Sequence, residues 1–391
     1  NNVMLGSSAG DSFSGTDAEN NTLIGKDAGT AITTGDNNVA VGYQAMLVNT
    51  TGSFNTAVGL VSLTANTTGA QNVAYGYRSL ASNTTGGFNT AVGDGCLDTN
   101  TTASYNTAVG SEALAANTTG TRLVAVGAYA LDANTTGNNN EAIGYQALSA
   151  NTTGAHNVAV GDQSLYNNTT ASFNVATGKD ALYTNTTGAN CTAVGYNALA
   201  ANTTANNNTA IGAYALDANT TGVNNVAIGN AALTTATTAD NNTAVGLNSL
   251  AVNTTGAENV AIGSSALTAN TTASYNTAVG KSCLATNTTG ARNTAVGQGA
   301  LYANTTQHDN VAVGYNALNA NTTGTQNVAV GAYALDANTT DSYNSAVGYQ
   351  ALSANTTGEL NTAFGFTALR DSTTSDKNTA VGASALLSNT T

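Results

Sequence analysis

The chain reads as an all-β protein, a parallel β-solenoid (β-roll) of 17-residue coils, and three observations lead there. A glycine recurs every 17 residues from Gly25 through Gly42, Gly59 and Gly76 to Gly382, without slippage. With Gly6, set 19 residues before Gly25, this makes 23 units. Each unit carries a short alternation of β-branched residues, the period-2 signature of a strand, next to turn residues. Third, the 391 residues contain no proline. A stack in which every coil bonds to the coils above and below has few places for a residue without an N–H.

Numbered from its first asparagine, the repeat is N-[TV]-A-[VI]-G-x-x-[AS]-L-x-x-N-T-T-G-x-x. Asn310, Val311, Ala312, Val313, Gly314, Ala317, Leu318, Asn321, Thr322 and Thr323 give a clean example. In the 21 units whose glycines run from Gly42 to Gly382, position 3 is always Ala, and position 9 is Leu except at Met46. Position 8 is Ala, Ser or Cys, and the Thr pair at 13 and 14 is uninterrupted. Positions 2 to 4 read as one strand and Gly at position 5 as a tight turn. Positions 8 to 14 read as a second short strand, and 15 to 17 as a second corner. Seventeen residues rich in Gly, Asn and Thr are too few and too poor in helix formers for a helical hairpin. So short a repeat cannot bury a core alone, and neighbours must stack. At about 4.8 Å per coil, 23 coils would make a rod on the order of 110 Å.

Strand alternation sends positions 2 and 4 (Val226, Ile228) one way and 1, 3 and 5 (Asn225, Ala227, Gly229) the other. The simplest expectation buries the β-branched pair with the Leu of position 9. It leaves an Asn, Ala and Gly stripe outside, suited to close contact with another chain. The inverse arrangement, with Asn and Ala inside and the Val/Ile face on a partner chain, is the alternative. Either way a thin stack is poorly buried, so the chain is expected to self-associate, as a homotrimer or filament. Residues 1–35 are expected to form atypical N-terminal coils, because Gly10 and Gly29 replace Leu and Asp11, Asp17 and Glu19 add charge. Residues 36–391 form the regular solenoid. It starts and stops inside a repeat, so it is expected to continue beyond the chain.

Composition narrows the function. Charged residues are 7 % and the net charge is -13, with eight Lys and Arg in all. Nucleic acid and acidic membrane surfaces, which need clustered cations, are excluded as expected partners. No apolar run approaches the ~20 residues of a membrane span. No catalytic constellation can be assembled, so the chain is expected not to be an enzyme and to carry no cofactor. His156 and His308 fall nine coils apart, roughly 40 Å. Cys96 and Cys283 occupy position 8, eleven coils apart, too far for a disulfide within one chain. Cys191 replaces Asn at position 1. These thiols read as small buried groups, with a cross-chain bridge open only if position 8 lies on an oligomer axis. Asp recurs at position 10 only sporadically (Asp98, Asp132, Asp217, Asp336), which reads as solvated charge rather than a metal site.

The N-T-T triplet at positions 12 to 14, present in 19 of the 21 units, is an N-x-[ST] glycosylation sequon. Candidate acceptors are Asn49, Asn66, Asn83, Asn117, Asn134, Asn151, Asn202, Asn253 and Asn321. Thr50, Thr51, Thr322 and Thr323 are candidates for O-linked sugar. The competing reading is mechanical, a ladder of stacked amides at a corner. An ice-binding face is disfavoured, because adjacent threonines of one strand would leave a single Thr column. Variable turn positions 6, 7, 16 and 17 carry most aromatics, among them Tyr43, Tyr77, Tyr145, Tyr196, Tyr315, Phe54, Phe88, Tyr105 and Tyr275. A carbohydrate or host-surface ligand would bind there, but the favoured reading is that these rings simply pack at the corners.

The N-[TV]-A-[VI]-G strand resembles the head repeats of YadA-type trimeric autotransporter adhesins, where S-V-A-I-G strands recur in a left-handed parallel β-roll. The unit ending in N-T-T-G, and the early N-x-x-[LI]-G-x-x-A-G variants around Gly6 and Gly25, resemble repeats of bacterial surface proteins and phage tail fibres. The resemblance spans the chain. It implies a left-handed homotrimeric roll and an extracellular or cell-surface fibre or adhesin, or alternatively a virion tail-fibre shaft. The 17-residue coil departs from the shorter adhesin coil.

Overall fold

The computed structural model describes residues 1–13 and 17–390. It is an all-β parallel solenoid of about 22 coils with 17 residues per turn. The chain divides into two compact units, Asn1–Ala193 and Val194–Thr391. In the first, three-residue strands run from β1 (Val3–Leu5) and β2 (Thr22–Ile24) to β11 (Val175–Thr177), each paired in parallel with its successor. After β12 (Thr192–Val194), the second unit repeats the pattern from β13 (Thr209–Ile211) to β23 (Thr379–Val381). The register is one repeat per step. Val226, Ala227 and Ile228 lie beside Thr243, Ala244 and Val245.

Only one strand forms per coil. The second strand expected over positions 8 to 14 is instead a chain of turns, in which positions 7 and 9 take left-handed backbone. Asn316 has φ 50° and Leu318 φ 52°. For a non-glycine residue this conformation costs roughly 1–2 kcal/mol. It is repaid because each reversal aims an N–H along the stack. Asn316 N–H donates to Gln298 O of the preceding coil, whereas Leu318 and Ala320 N–H donate to Ala334 O and Asp336 O of the following one. Several backbone donors of the turns thus find a carbonyl one coil away, while others, such as Ala317 N–H to Gly314 O, close the turn within the coil.

The interior is also the reverse of the simplest expectation. Ala at position 3 is fully buried (Ala227, Ala312), as are the position 8 residues and Leu at position 9 in every regular coil before the last, where Leu386 is half exposed. Val and Ile of positions 2 and 4 face outward instead. Ile211, Ile262 and Val296 keep 39, 39 and 37 % of their surface exposed, which turns the expected apolar core strip into an outer face. The Asn and Ala of the expected outer stripe are therefore core and cannot be a contact surface. The physical reason is width. The coil is so thin that the strand has room for a methyl group, while Leu, entering from the opposite turn, fills the space that remains.

Burying asparagine needs a partner for each amide, and the corner at position 15 provides it. Gly69 O accepts Asn55 Nδ2 of position 1 and Asn66 Nδ2 of position 12, both at 2.9 Å. Asn55 Oδ1 accepts the backbone N–H of Asn72 at 2.9 Å, one coil on. Two asparagine columns thus hang on one carbonyl column.

The first two coils solve the same packing problem with different residues. Leu23 and Ile32 sit at positions 3 and 12, fully buried, where regular coils have Ala and Asn. Gly29 takes position 9, and a Cβ there would lie 2.8 Å from Leu23 Cδ2 and 2.9 Å from Ile32 Cδ1. Bulk has moved from the turn to the strand.

Candidate functional sites on the coil surface

The structure places the sequon triplet at the corner between turn and strand. Asn49, Asn66, Asn83, Asn117, Asn134, Asn151, Asn202, Asn253 and Asn321 are all fully buried. Each donates Nδ2 to the carbonyl three residues on, from Asn49 to Gly52 through Asn321 to Gly324. Most also donate to the Oδ1 of the preceding coil's asparagine, such as Asn66 to Asn49 at 2.8 Å and Asn151 to Asn134 at 2.9 Å. Nδ2 is the atom that an N-linked sugar would occupy, so the packed coil does not present it. Thr50 is half-buried, its hydroxyl donating to Thr67 O at 3.0 Å, and Thr322 is exposed but makes the same bond to Thr339 O. Thr51 and Thr323 are exposed at the second threonine position, leaving that column as the outward part of the triplet.

Among the described residues no disulfide forms, and the three cysteines are buried inside their coils. Position 8 faces the coil interior, so the cross-chain bridge on an oligomer axis has no surface to form on. Burial pushes Cys96 up to about 11 and Cys283 up to about 12, which holds both as protonated, unreactive thiols at neutral pH. His156 stacks on Phe173 with ring centroids 5.1 Å apart, and His308 Nδ1 lies 2.8 Å from Asp309 Oδ2.

The position 10 aspartates are not plain solvated charges. Asp98 is paired with Arg78 at 2.6 Å, Asp132 accepts the Ser149 hydroxyl at 2.6 Å, and Asp217 accepts Thr234 at 2.6 Å. Burial raises the carboxyls of Asp98, Asp132 and Asp336 above the ordinary range; at Asp98 the Arg78 charge opposes it. Asp98 and Asp132, with Glu112 and Tyr129, line a cleft of about 530 Å³ floored by Ala115 and Ala116. Glu112 is raised too, first by burial and then by the neighbouring Asp94. The cleft presents hydrogen-bond acceptors beside one ring. Among the described residues no three His, Cys, Asp or Glu side chains converge as a metal site. Sequence reasoning missed this cleft because its residues are spread over positions 7, 10 and 11 of three coils. Stacking by 17 was the available signal, since Asp98 and Asp132 differ by two periods.

The corner aromatics pack chiefly on one another. Phe88 and Tyr105 stack at 5.0 Å, and Tyr315, Tyr333, Tyr349 and Phe366 form a continuous run with centroids 5.3, 6.2 and 5.6 Å apart. Stacked or not, these rings face outward: Tyr43, Tyr77, Tyr145, Tyr196, Phe54 and Tyr275 are exposed, as are Phe88, Tyr105 and Tyr315.

The outer strand face is a further surface feature. Positions 2 and 4 contribute 42 side chains in the 21 regular coils, and only Glu141 among them is charged. No helix is long and apolar enough to cross a membrane among the described residues. No family model matches the chain, and no curated protein matches its sequence.

Proposed function

We propose that this chain is a non-enzymatic structural segment, the shaft or head of an extracellular or cell-surface fibre of the adhesin kind. One observation carries the reading. The same short set of bonds recurs at most 17-residue steps, so the chain spends its sequence on uniform stacking. A laddered coil resists unfolding locally, because opening any one coil breaks bonds to two neighbours. That property suits a load-bearing element held away from a surface. Variable aromatic and carboxylate side chains on the turns, including the Tyr129 cleft, offer places for weak adhesive contacts. The exposed column containing Thr51 and Thr323 is where sugar would be added if the fibre is glycosylated.

Immuno-electron microscopy of the organism that makes the chain tests this reading. Antibody against the folded repeat is expected to decorate projections on intact, unpermeabilised cells or on virions. Labelling that appears only in the interior of permeabilised cells overturns it.

A further inference from the structure

We infer that the outer strand face is a contact between two copies of this chain, packed sheet against sheet about a two-fold axis. A parallel sheet is almost always covered on both faces, and here one side has no cover within the chain. On β13 to β23 that side carries Val or Thr at position 2, with Ser345 once, and Val or Ile at position 4, with Phe364 once. Ile211, Ile228, Ile262 and Val296 remain 36–39 % exposed despite being flanked by their own columns. No residue of this strip in the second unit is charged, although the whole chain carries -13. Charge depletion at the centre of an apolar patch marks an interface core.

Three features identify the occupant as a second copy. The strip is periodic by one coil, and a partner that meets every row in turn must advance by the same step, which another copy does by construction. Two chains of the same negative sign repel least where both are uncharged, whereas a basic partner would find no counter-charge here. The size also fits. Eleven three-residue strands about 4.8 Å apart give a projected strip of roughly 500 Å². Pleating and flanking side chains bring this towards the ~800 Å² per partner of a standard stable interface. A single flat strip meets itself in pairs, so the contact is isologous rather than three-fold. Opposed sheets would lie about 10 Å apart with interdigitated β-branched side chains.

Sedimentation velocity or light scattering on the full chain across micromolar concentrations tests the contact. The expected mass is twice the 38.6 kDa of one chain. Replacing Ile228, Ile262 and Val296 by Lys, on alternate coils so that the new charges do not stack directly, is expected to weaken the dimer at least a hundredfold. Replacing Ile228 and Ile262 by Val is expected to leave it within a few-fold of the parent, with circular dichroism showing all proteins folded. A monomeric parent, a three-fold assembly, or a folded Lys variant that dimerises like the parent each overturns the proposal. None of these results bears on where the fibre is displayed, which the immunolabelling decides separately.

Discussion

Alanine is invariant at position 3 of the 21 regular coils because its methyl group faces Leu of position 9 across a coil with no spare width. The first coils show that the quantity held constant is volume. Leu23 with Gly29 and Ile32 replaces Ala, Leu and Asn, and the interior stays closed. Leucine at position 29 is compatible with the backbone, since Gly29 has φ 59° and Leu318 takes φ 52° at the equivalent place. Its side chain would nevertheless meet Leu23 and Ile32. Gly29→Leu alone is therefore expected to destabilise by about 1–3 kcal/mol through overpacking. The triple change Leu23→Ala, Gly29→Leu, Ile32→Asn recreates a regular coil and is expected to recover most of that loss. Urea unfolding of the single and triple variants checks the coupling. Simple additivity, with the triple the least stable, would contradict the volume exchange. Residues 1–35 stood out in sequence as irregular, but the reason was legible only when strand and turn were seen to share one cavity.

At the scale of an element, the asparagine columns behave as long hydrogen-bonded units whose value depends on continuity. Ala236 interrupts the position 12 column, and the consequence is visible one coil back. Asn219 Oδ1 is buried with no hydrogen-bond partner. Asn219 still donates to Asn202 at 3.0 Å and to Gly222 at 3.0 Å, so only its acceptor is orphaned. Ala236→Asn supplies the missing donor, together with a further bond from its own amide to the Ala239 carbonyl. The expected gain is about 1 kcal/mol, the ordinary net worth of a buried hydrogen bond, measurable as a rise in the urea midpoint. A destabilised variant would show that the corner has closed around alanine. The glycine corner ending each strand has an equally simple cause. Gly229 has φ 133°, and a Cβ there would strike the backbone of Gly246. The N-T-T motif admitted both a glycan and a ladder from sequence; burial of the asparagine assigns its amide to the ladder.

For the whole molecule, the segregation of charge is the dominant electrostatic fact. Apart from Glu141 on its strand, the acidic groups sit on turns and corners, where several carboxyls are pushed up by burial, including Asp98, Asp132, Asp336 and Glu112. A carboxyl whose folded value is raised binds its proton more readily in the folded state. Stability from it is therefore present at low pH and falls as pH rises through the folded value. Asp309 and Asp371 are lowered by Arg292 and Arg370 and act in the opposite sense, but both are solvent-screened pairs. With a net charge of -13, self-repulsion adds to the raised set. The midpoint of thermal unfolding is expected to rise on going from pH 7 to about pH 5. A midpoint that falls over this range would mean that the exposed ion pairs outweigh the raised carboxyls.

Because periodicity fixes register without reference to side-chain direction, the sequence by itself determined the repeat length, the stacking of one coil on the next and the strand ahead of each glycine, but not that the expected second strand is a chain of turns. It also limited chemistry, since the histidines and the position 8 thiols fall coils apart from each other at any handedness. What it left open was which side of that strand faces inward. An alternating strand has two sides and only the space between elements chooses one. Hydrophobicity favoured Val and Ile inside, but the coil has room for alanine alone, and the position 15 carbonyls satisfy the asparagines that come in with it. The left-handed turns at positions 7 and 9 were likewise invisible, because leucine has no local preference for that conformation and adopts it only where the neighbouring coils bond to the reversed N–H groups.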